Sequence, residues 1–297
     1  MPSLRDIRKH IKAVKNIKQI TYAMKMVASA RIKKAQNQIL SFKPYVNYLE
    51  NMIFSLKSEF EDENIKNFEF SKFLIRELKS NNVGIVVVSG DKGLCGSFNN
   101  MILMNALRFI KSNEGKNIYL ICVGKKSYDF FKKLKGVNIY YQILNIFPKV
   151  SYTHASILSE KIIEMYEKYN LESVFIVYME FKSLLKQELK NILLLPIVKD
   201  FSGINKSKSF SDMFLFEPSK EIILKDLVPK YINIEVFRIL LENQASELAS
   251  RMNAMEQASK NASELIDELT VKMNKLRQAQ ITTELNEIIS GANAISG

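Results

Sequence analysis

This sequence predicts an α/β fold class: a long antiparallel coiled coil, made by the N- and C-terminal helices, attached to a central three-layer α/β domain. Three observations carry that expectation. The first and last segments, each roughly sixty residues, show a heptad seam; every strand-like run lies between them; and those runs alternate with helical patterns. Two long helices at opposite ends of one chain, each with one apolar strip, bury those strips by folding back on each other. The expected division is 1–58 for the first coil helix, 59–228 for the α/β domain and 229–297 for the second coil helix.

The first helix starts at Ser3-Leu4-Arg5-Asp6, with Ser3 as cap and an acid in the first turn. Its seam runs Leu4, Ile7, Ile11, Val14, Lys18, Thr21, Lys25, Ala28, Ile32, Ala35, Ile39, Phe42, Val46, Leu49, Ile53, Leu56, with only the consecutive trio Lys18, Thr21 and Lys25 polar. Pro44 predicts a kink or break. Residues 59–82 read as a connection with a helical piece at Phe70–Leu78. Strands are expected at Val83–Val88, Ile118–Val123, Val137–Ile143, Ser173–Glu180, Asn191–Val198 and Met213–Phe216, and helices over 98–112, 125–134 and 153–169. The polar segment Asp200–Asp212 reads as a loop or hairpin tip. The last seam runs Leu241, Ala245, Leu248, Met252, Met255, Ser259, Ala262, Ile266, Leu269, Met273, Leu276, then fails at Gln280, Thr283 and Glu287. Residues 230–290 contain neither Pro nor Gly, so nothing local stops a helix that would extend for roughly 80–90 Å.

Of the 297 residues, 47% are hydrophobic, enough for an ordinary core, yet no run approaches the ~18 apolar residues of a membrane span. The chain is expected to be soluble, and able to sit beside a membrane by binding something that spans it. Cys95 and Cys122 lie far apart in apolar contexts and give no disulfide framework, and His10 and His154 have no partner at metal-ligand spacing. The basic, amphipathic N-terminus has the composition of a transit peptide, but the heptad begins at Leu4 and marks mature structure. Charge is unevenly placed on a chain of net +12: residues 1–36 hold ten basic side chains against Asp6, while residues 242–289 hold eight acids against five bases. Antiparallel pairing offsets part of the first by the second, and the remaining positive surface calls for an acidic partner.

Three kinds of chemistry have candidate residues in this sequence. The turn Ser89-Gly90-Asp91-Lys92-Gly93-Leu94-Cys95-Gly96 follows the first strand of a Rossmann-like domain, where backbone amides cradle phosphate in nucleotide-binding proteins. Its glycines are spaced three and three, which is neither GxGxxG nor a P-loop, so a tight strand-to-helix turn is favoured, with Asp91 and Lys92 paired locally. Cys95 and His154 are the only sharp nucleophile–base pair and no motif links them, so no catalytic residue, metal site or cofactor is expected. The basic first helix suggests nucleic acid, but its aromatics are sparse and its apolar stripe is committed to packing.

The seam breaks carry more information. On the first helix Ile17, Ile20, Met24 and Val27 repeat the apolar spacing one residue early; on the last, Ile281, Leu285, Ile288 and Ala292 repeat it one residue late. A register shift turns a different face apolar, toward a third partner. A simple stutter accounts for the pattern equally well.

At these stretches the chain resembles the γ subunit of F-type ATP synthases, of bacterial type. Ile17–Ala28 reads IKQITYAMKMVA, similar to the family stretch ending in AMxMVA; Ala245–Ala262 (ASELASRMNAMEQASKNA) and Arg277–Ala294 (RQAQITTELNEIISGANA) resemble its two C-terminal signatures, and Gly90–Asn99 (GDKGLCGSFN) its α/β entry. The resemblance covers the whole chain. It implies a rotor shaft whose coiled coil turns inside a ring of three alpha and three beta subunits, with the α/β domain at a foot near the c ring and the epsilon subunit. Chemistry then belongs to the beta subunits, and this chain is a non-catalytic subunit without cofactor. By match to family positions, Met24 and Lys25 on the first helix and Arg277, Gln278, Thr282 and Glu284 on the last are the expected beta-subunit contact and coupling residues, and Lys18 and Thr21 join them from the break in the seam. Phe42–Tyr48 and Met213–Tyr231 are the expected foot contacts. Met273 stands where the family commonly has an aromatic, and nothing corresponds to the paired-cysteine insert of chloroplast forms, so no thiol switch is expected. With no extra leader, the expected place is the cytoplasmic face of a bacterial plasma membrane, as a peripheral protein. The alternative from another class is a coiled-coil adaptor or basic nucleic-acid-binding arm attached to an α/β domain.

Overall fold

The structure, a computed structural model, describes residues 3–58, 68–75, 80–134, 136–198, 217 and 219–296. The expected strand Met213–Phe216 and loop Asp200–Asp212 lie outside them. Helix α1 runs Leu4–Ser58 and a short 3-10 turn follows at Glu69–Phe73. Then come β1 (Asn82–Val88), α2 (Phe98–Ser112), β2 (Asn117–Val123), α3 (Lys125–Phe131), β3 (Asn138–Ile143), α4 (Tyr152–Lys168), β4 (Ser173–Phe181), β5 (Gln187–Leu195) and α5 (Lys220–Ser296). The chain divides into two compact units, one of Met1–Ser29 with Arg251–Gly297, the other of Ala30–Ser250.

In the larger unit the strands lie in the order β3-β2-β1-β4-β5. β1 is parallel to β2 (Val83 opposite Ile118) and to β4 (Val83 opposite Ser173), and β2 is parallel to β3. β5 is antiparallel to β4 and starts earlier than expected. The reason is the short 182–186 connection, where the Lys182 and Ser183 amides donate to the Lys186 carbonyl; a parallel return needs a crossover of a dozen or more residues.

Alternation along β1 assigns its side chains to two cores. Val83, Ile85 and Val87 pack with Phe98, Ile102 and Ala106 of α2 and Phe131 of α3, while Val86 and Val88 face Leu158, Ile162 and Met165 of α4. The second core also takes Leu49, Ile53 and Leu56 of α1 and Leu224, Ile232 and Ile239 of α5. A sheet covered on both faces reads as continuous apolar runs, which is why β1 and β2 stand out in the sequence.

The break expected at Pro44 does not occur, and α1 runs through it. Val46 is buried just beyond it, and Phe42 stacks edge-on against Phe237 with ring centroids 5.1 Å apart, so packing outweighs the missing amide. Likewise α5 begins at Lys220 with Pro229 inside it, its first turn capped by the Ser219 hydroxyl accepting from the Ile222 amide.

Candidate functional site

In the smaller unit the ends of α1 and α5 pair antiparallel. Lys18 Nζ donates to Ser263 Oγ at 2.9 Å, and Lys25 Nζ to Glu256 Oε1 at 2.6 Å. Between them Thr21 is buried, its hydroxyl donating back to the Ile17 and Lys18 carbonyls, each at 3.0 Å. The expected register shift is therefore absent from α1. A threonine satisfies its own hydroxyl within the helix, and two lysines lay apolar stems along the seam while their ammonium groups reach polar atoms opposite.

The second apolar set then has nowhere to pack. Ile17, Ile20 and Val27 are 52%, 59% and 51% exposed and Met24 is half-buried, while Tyr22 and Met26, also exposed, lie on the other flank of the seam. This strip turns outward next to the exposed cations of the same helix.

The register of the two lysine contacts brings the start of α1 at Leu4 opposite Arg277. The seam on α5 ends there because its partner helix does. From Arg277 to Asn293 every side chain is exposed, including Gln278, Thr282 and Glu284, and Thr282 Oγ1 donates to the Gln278 carbonyl at 2.9 Å. Ile281, Leu285 and Ile288 follow helical spacing and form one exposed apolar face. The site residues read from the sequence thus fall in two places, Lys18–Lys25 and Arg277–Glu284, separated by about 20 Å of helix.

The other candidates resolve differently. Strand order reverses between β1 and β4, the position at which α/β folds bind ligands. There Asp91 turns inward, accepting the Lys125 and Asn145 amides on Oδ1 at 2.8 Å and the Phe147 amide on Oδ2 at 2.9 Å. The expected local pair with Lys92 gives way to a carboxylate that ties the loops after β2 and β3 to the end of β1. Gly90 donates its amide to Asn99 Oδ1 at 2.8 Å, and a Cβ on it would lie 2.8 Å from Glu247 Oε1 of α5. A phosphate brought to this turn would meet two carboxylates, so the tight-turn reading stands.

Cys95 and His154 belong to opposite faces of the sheet and form no pair. His154 Nδ1 accepts the Ser151 amide at 3.1 Å in a capping box at the start of α4. Burial pushes the Cys122 thiol up to about 12. Among the described residues no three His, Cys, Asp or Glu side chains gather as metal ligands, and no helix is long and apolar enough to cross a membrane.

Sequence reasoning missed one feature of the fold, a buried polar run on α5. Glu242, Asn243, Gln244, Ser246 and Glu247 are all buried. The available signal was a polar run inside a helix whose neighbouring positions, Leu241, Ala245 and Leu248, are core.

Residues 3–295 match the family model described as ATP synthase. The chain is 46% identical to the ATP synthase gamma chain of Elusimicrobium minutum, with 100% of both chains covered, and 38% identical to that of Chlorobium phaeobacteroides, again over 100% of both. Among solved structures, it is similar in fold to a chain of the Euglena gracilis mitochondrial ATP synthase rotor, at a TM-score of 0.64 and 20% identity, covering 94% of this chain and 98% of that one. A chain of the Tetrahymena thermophila mitochondrial ATP synthase central stalk and c ring has the same fold at a TM-score of 0.59 and 24% identity, covering 81% and 99%. With the family model spanning nearly the whole chain and these identities held over the full length of both curated relatives, the chain belongs to the ATP synthase gamma chain family.

Proposed function

We infer that this chain is the central-stalk, rotor-shaft subunit of an F-type ATP synthase, coupling ion-driven rotation of a membrane c ring to ATP synthesis and hydrolysis in a head of three alpha and three beta subunits. The observation that carries the reading is the pair of exposed apolar stretches, Ile17–Val27 and Ile281–Ile288, on a coil whose seam is already satisfied. Two faces that the coil does not need are surfaces for something else.

A rotor biases a distant site only through contacts that differ between that site's conformations. The coil supplies such differences, because its apolar strip Ile17–Val27 runs along one flank of α1 and its second apolar face, Ile281–Ile288, lies near the end of α5. Lys18, Thr21, Met24 and Lys25 are proposed to face the beta subunits at the first stretch, and Arg277, Gln278, Thr282 and Glu284 at the second. The α/β part, residues 59–228, forms the foot between the coil helices 1–58 and 229–297. Phe42–Tyr48 and Met213–Tyr231 meet the c ring and the epsilon subunit there. The chain has no catalytic site of its own and sits peripherally on the cytoplasmic face of a bacterial plasma membrane.

Purification of the tagged chain from its native membrane tests this. It should bring down alpha and beta chains, with one copy per three beta chains. Recovery of the chain alone, or with polynucleotide released steeply by salt, would sink the reading in favour of an adaptor or nucleic-acid arm.

A further inference from the structure

The polar run on α5 lies in the crevice where a fold of this order binds its ligand, and each of its members but one has a fixed partner. Glu242 Oε2 accepts from the Tyr178 hydroxyl on β4 at 3.2 Å. Asn243 Oδ1 accepts the Met179 amide, also on β4, at 3.1 Å. Gln244 Oε1 accepts the Val150 amide ahead of α4 at 3.1 Å. Glu247 fills the space that a side chain on Gly90 would take. Ser246 Oγ and the Asn243 amide nitrogen, Nδ2, are buried without a hydrogen-bond partner.

Successive residues on a helix project about 100° apart, so Glu242, Asn243 and Gln244 fan around much of the circumference of α5, and Glu247 returns to the Asn243 side one turn on. Apolar packing resists rotation of a helix weakly, because it is non-directional. Hydrogen bonds to main-chain amides, Met179 in β4 and Val150 in the connection after β3, are directional and fix both the axial position and the rotation of the helix. Burial strengthens the constraint, since any slip would leave these polar groups unpaired and dry. Arg238, one turn earlier, holds Glu242 in place through NH1 at 2.6 Å and grips Glu235 with two further nitrogens.

We propose that Glu242, Asn243, Gln244 and Glu247 are positioning residues that key α5 to the carboxyl edge of the sheet, so that the α/β domain and the helix turn as one body. The chain's own helix takes the place of a ligand, and the site becomes a mechanical joint. The proposal rests on the rotor reading above.

Its test uses the double variant Asn243→Leu/Gln244→Met, which keeps volume and removes both acceptors. In the full-length chain the Met179 and Val150 amides should exchange hydrogen about tenfold faster than in the parent, the change expected from one lost hydrogen bond at each. In the assembled enzyme the variant should pump fewer ions per ATP hydrolysed while still hydrolysing ATP. A core variant, Leu158→Ala, matched for loss of stability, should keep the parent's pumping ratio. Gln244→Glu, which retains an oxygen for the Val150 amide, should restore coupling lost in Gln244→Met. Unchanged amide exchange overturns the key whatever the chain assembles with. Faster exchange with an unchanged pumping ratio, or an equal loss in Leu158→Ala, overturns the positioning role. A parent chain that joins no alpha and beta subunits overturns the rotor reading instead, and with it the claim of torque, while the exchange data still judge the joint.

Discussion

Lys25 reaches across the coil to Glu256, Nζ to Oε1 at 2.6 Å, and the two side chains remain 28% and 57% exposed. A pair this open to water contributes only about 0–1 kcal/mol to stability. Its placement beside the outward apolar strip is what gives it interest.

Charge reversal, Lys25→Glu, sets two carboxylates against each other and should lower stability by about 1 kcal/mol or less. Coupling should suffer more. Denaturant melts of the chain and ion pumping in reconstituted vesicles separate the two effects; normal pumping in the variant would remove Lys25 from the contact surface.

Truncation after Leu276 removes a stretch whose described side chains, 277–293, are all exposed. The melting transition should hold within a few degrees, circular dichroism should lose only the helicity of the removed segment, and rotor–head coupling should weaken. If the truncated chain melted far earlier, the removed stretch would have a packing role that the exposure of residues 277–293 denies.

Gly124 has φ +89°, and a Cβ there would stand 2.3 Å from the Ser89 carbonyl oxygen, a backbone atom that cannot step aside. Gly124→Ala should destabilise the chain by about 3 kcal/mol or more, combining left-handed strain with a backbone clash. Urea unfolding measures it, and a loss under about 1 kcal/mol would show that the turn can relax.

Asp91→Asn puts an amide nitrogen against one of the three main-chain donors that the carboxylate satisfies. The expected loss is about 1–3 kcal/mol, with faster hydrogen exchange at Lys125, Asn145 or Phe147 and little change at the buried strand β1. Exchange that rose uniformly through the sheet would argue against a local tie.

Alkali should unfold this chain through buried groups. Burial holds the Tyr166 hydroxyl, which donates to the Lys72 carbonyl at 2.8 Å, up to about 12 from 10.0, and the Cys122 thiol up to about 12 from 9.0. Both folded values are raised, so the unfolded chain releases these protons first and binds fewer of them. Stability is full below about pH 9 and falls as pH climbs toward about 12. Tyr166→Phe and Cys122→Ala should each flatten that fall in denaturant midpoints taken across the range; an unchanged slope in both would assign it to other groups.

The heptads were legible because a coil is a local, periodic signal: Ile7, Ile11, Val14, Ala28 and Ile32 are buried where the spacing puts them. The same spacing carried through Lys18, Thr21 and Lys25, which residue polarity alone had marked as a break, since hydropathy does not see a lysine stem or a threonine back-bond. β1, β2 and β4 were readable as apolar runs buried on both faces. β5 was placed late and without direction, because half-buried Lys190 and Ile192 flank an exposed Asn191 and its pairing is decided by the 182–186 connection. The joint at Glu242–Glu247 was invisible as such, for its partners Met179, Val150 and Gly90 are distant in sequence and two of them offer only main-chain amides.

The bare apolar face of Ile281, Leu285 and Ile288 also bears on the life of the chain before assembly. A copy released without its partners shows water the kind of surface that chaperones hold and proteases sample. A face proposed to serve an assembly would then also limit the life of a copy that has not joined one.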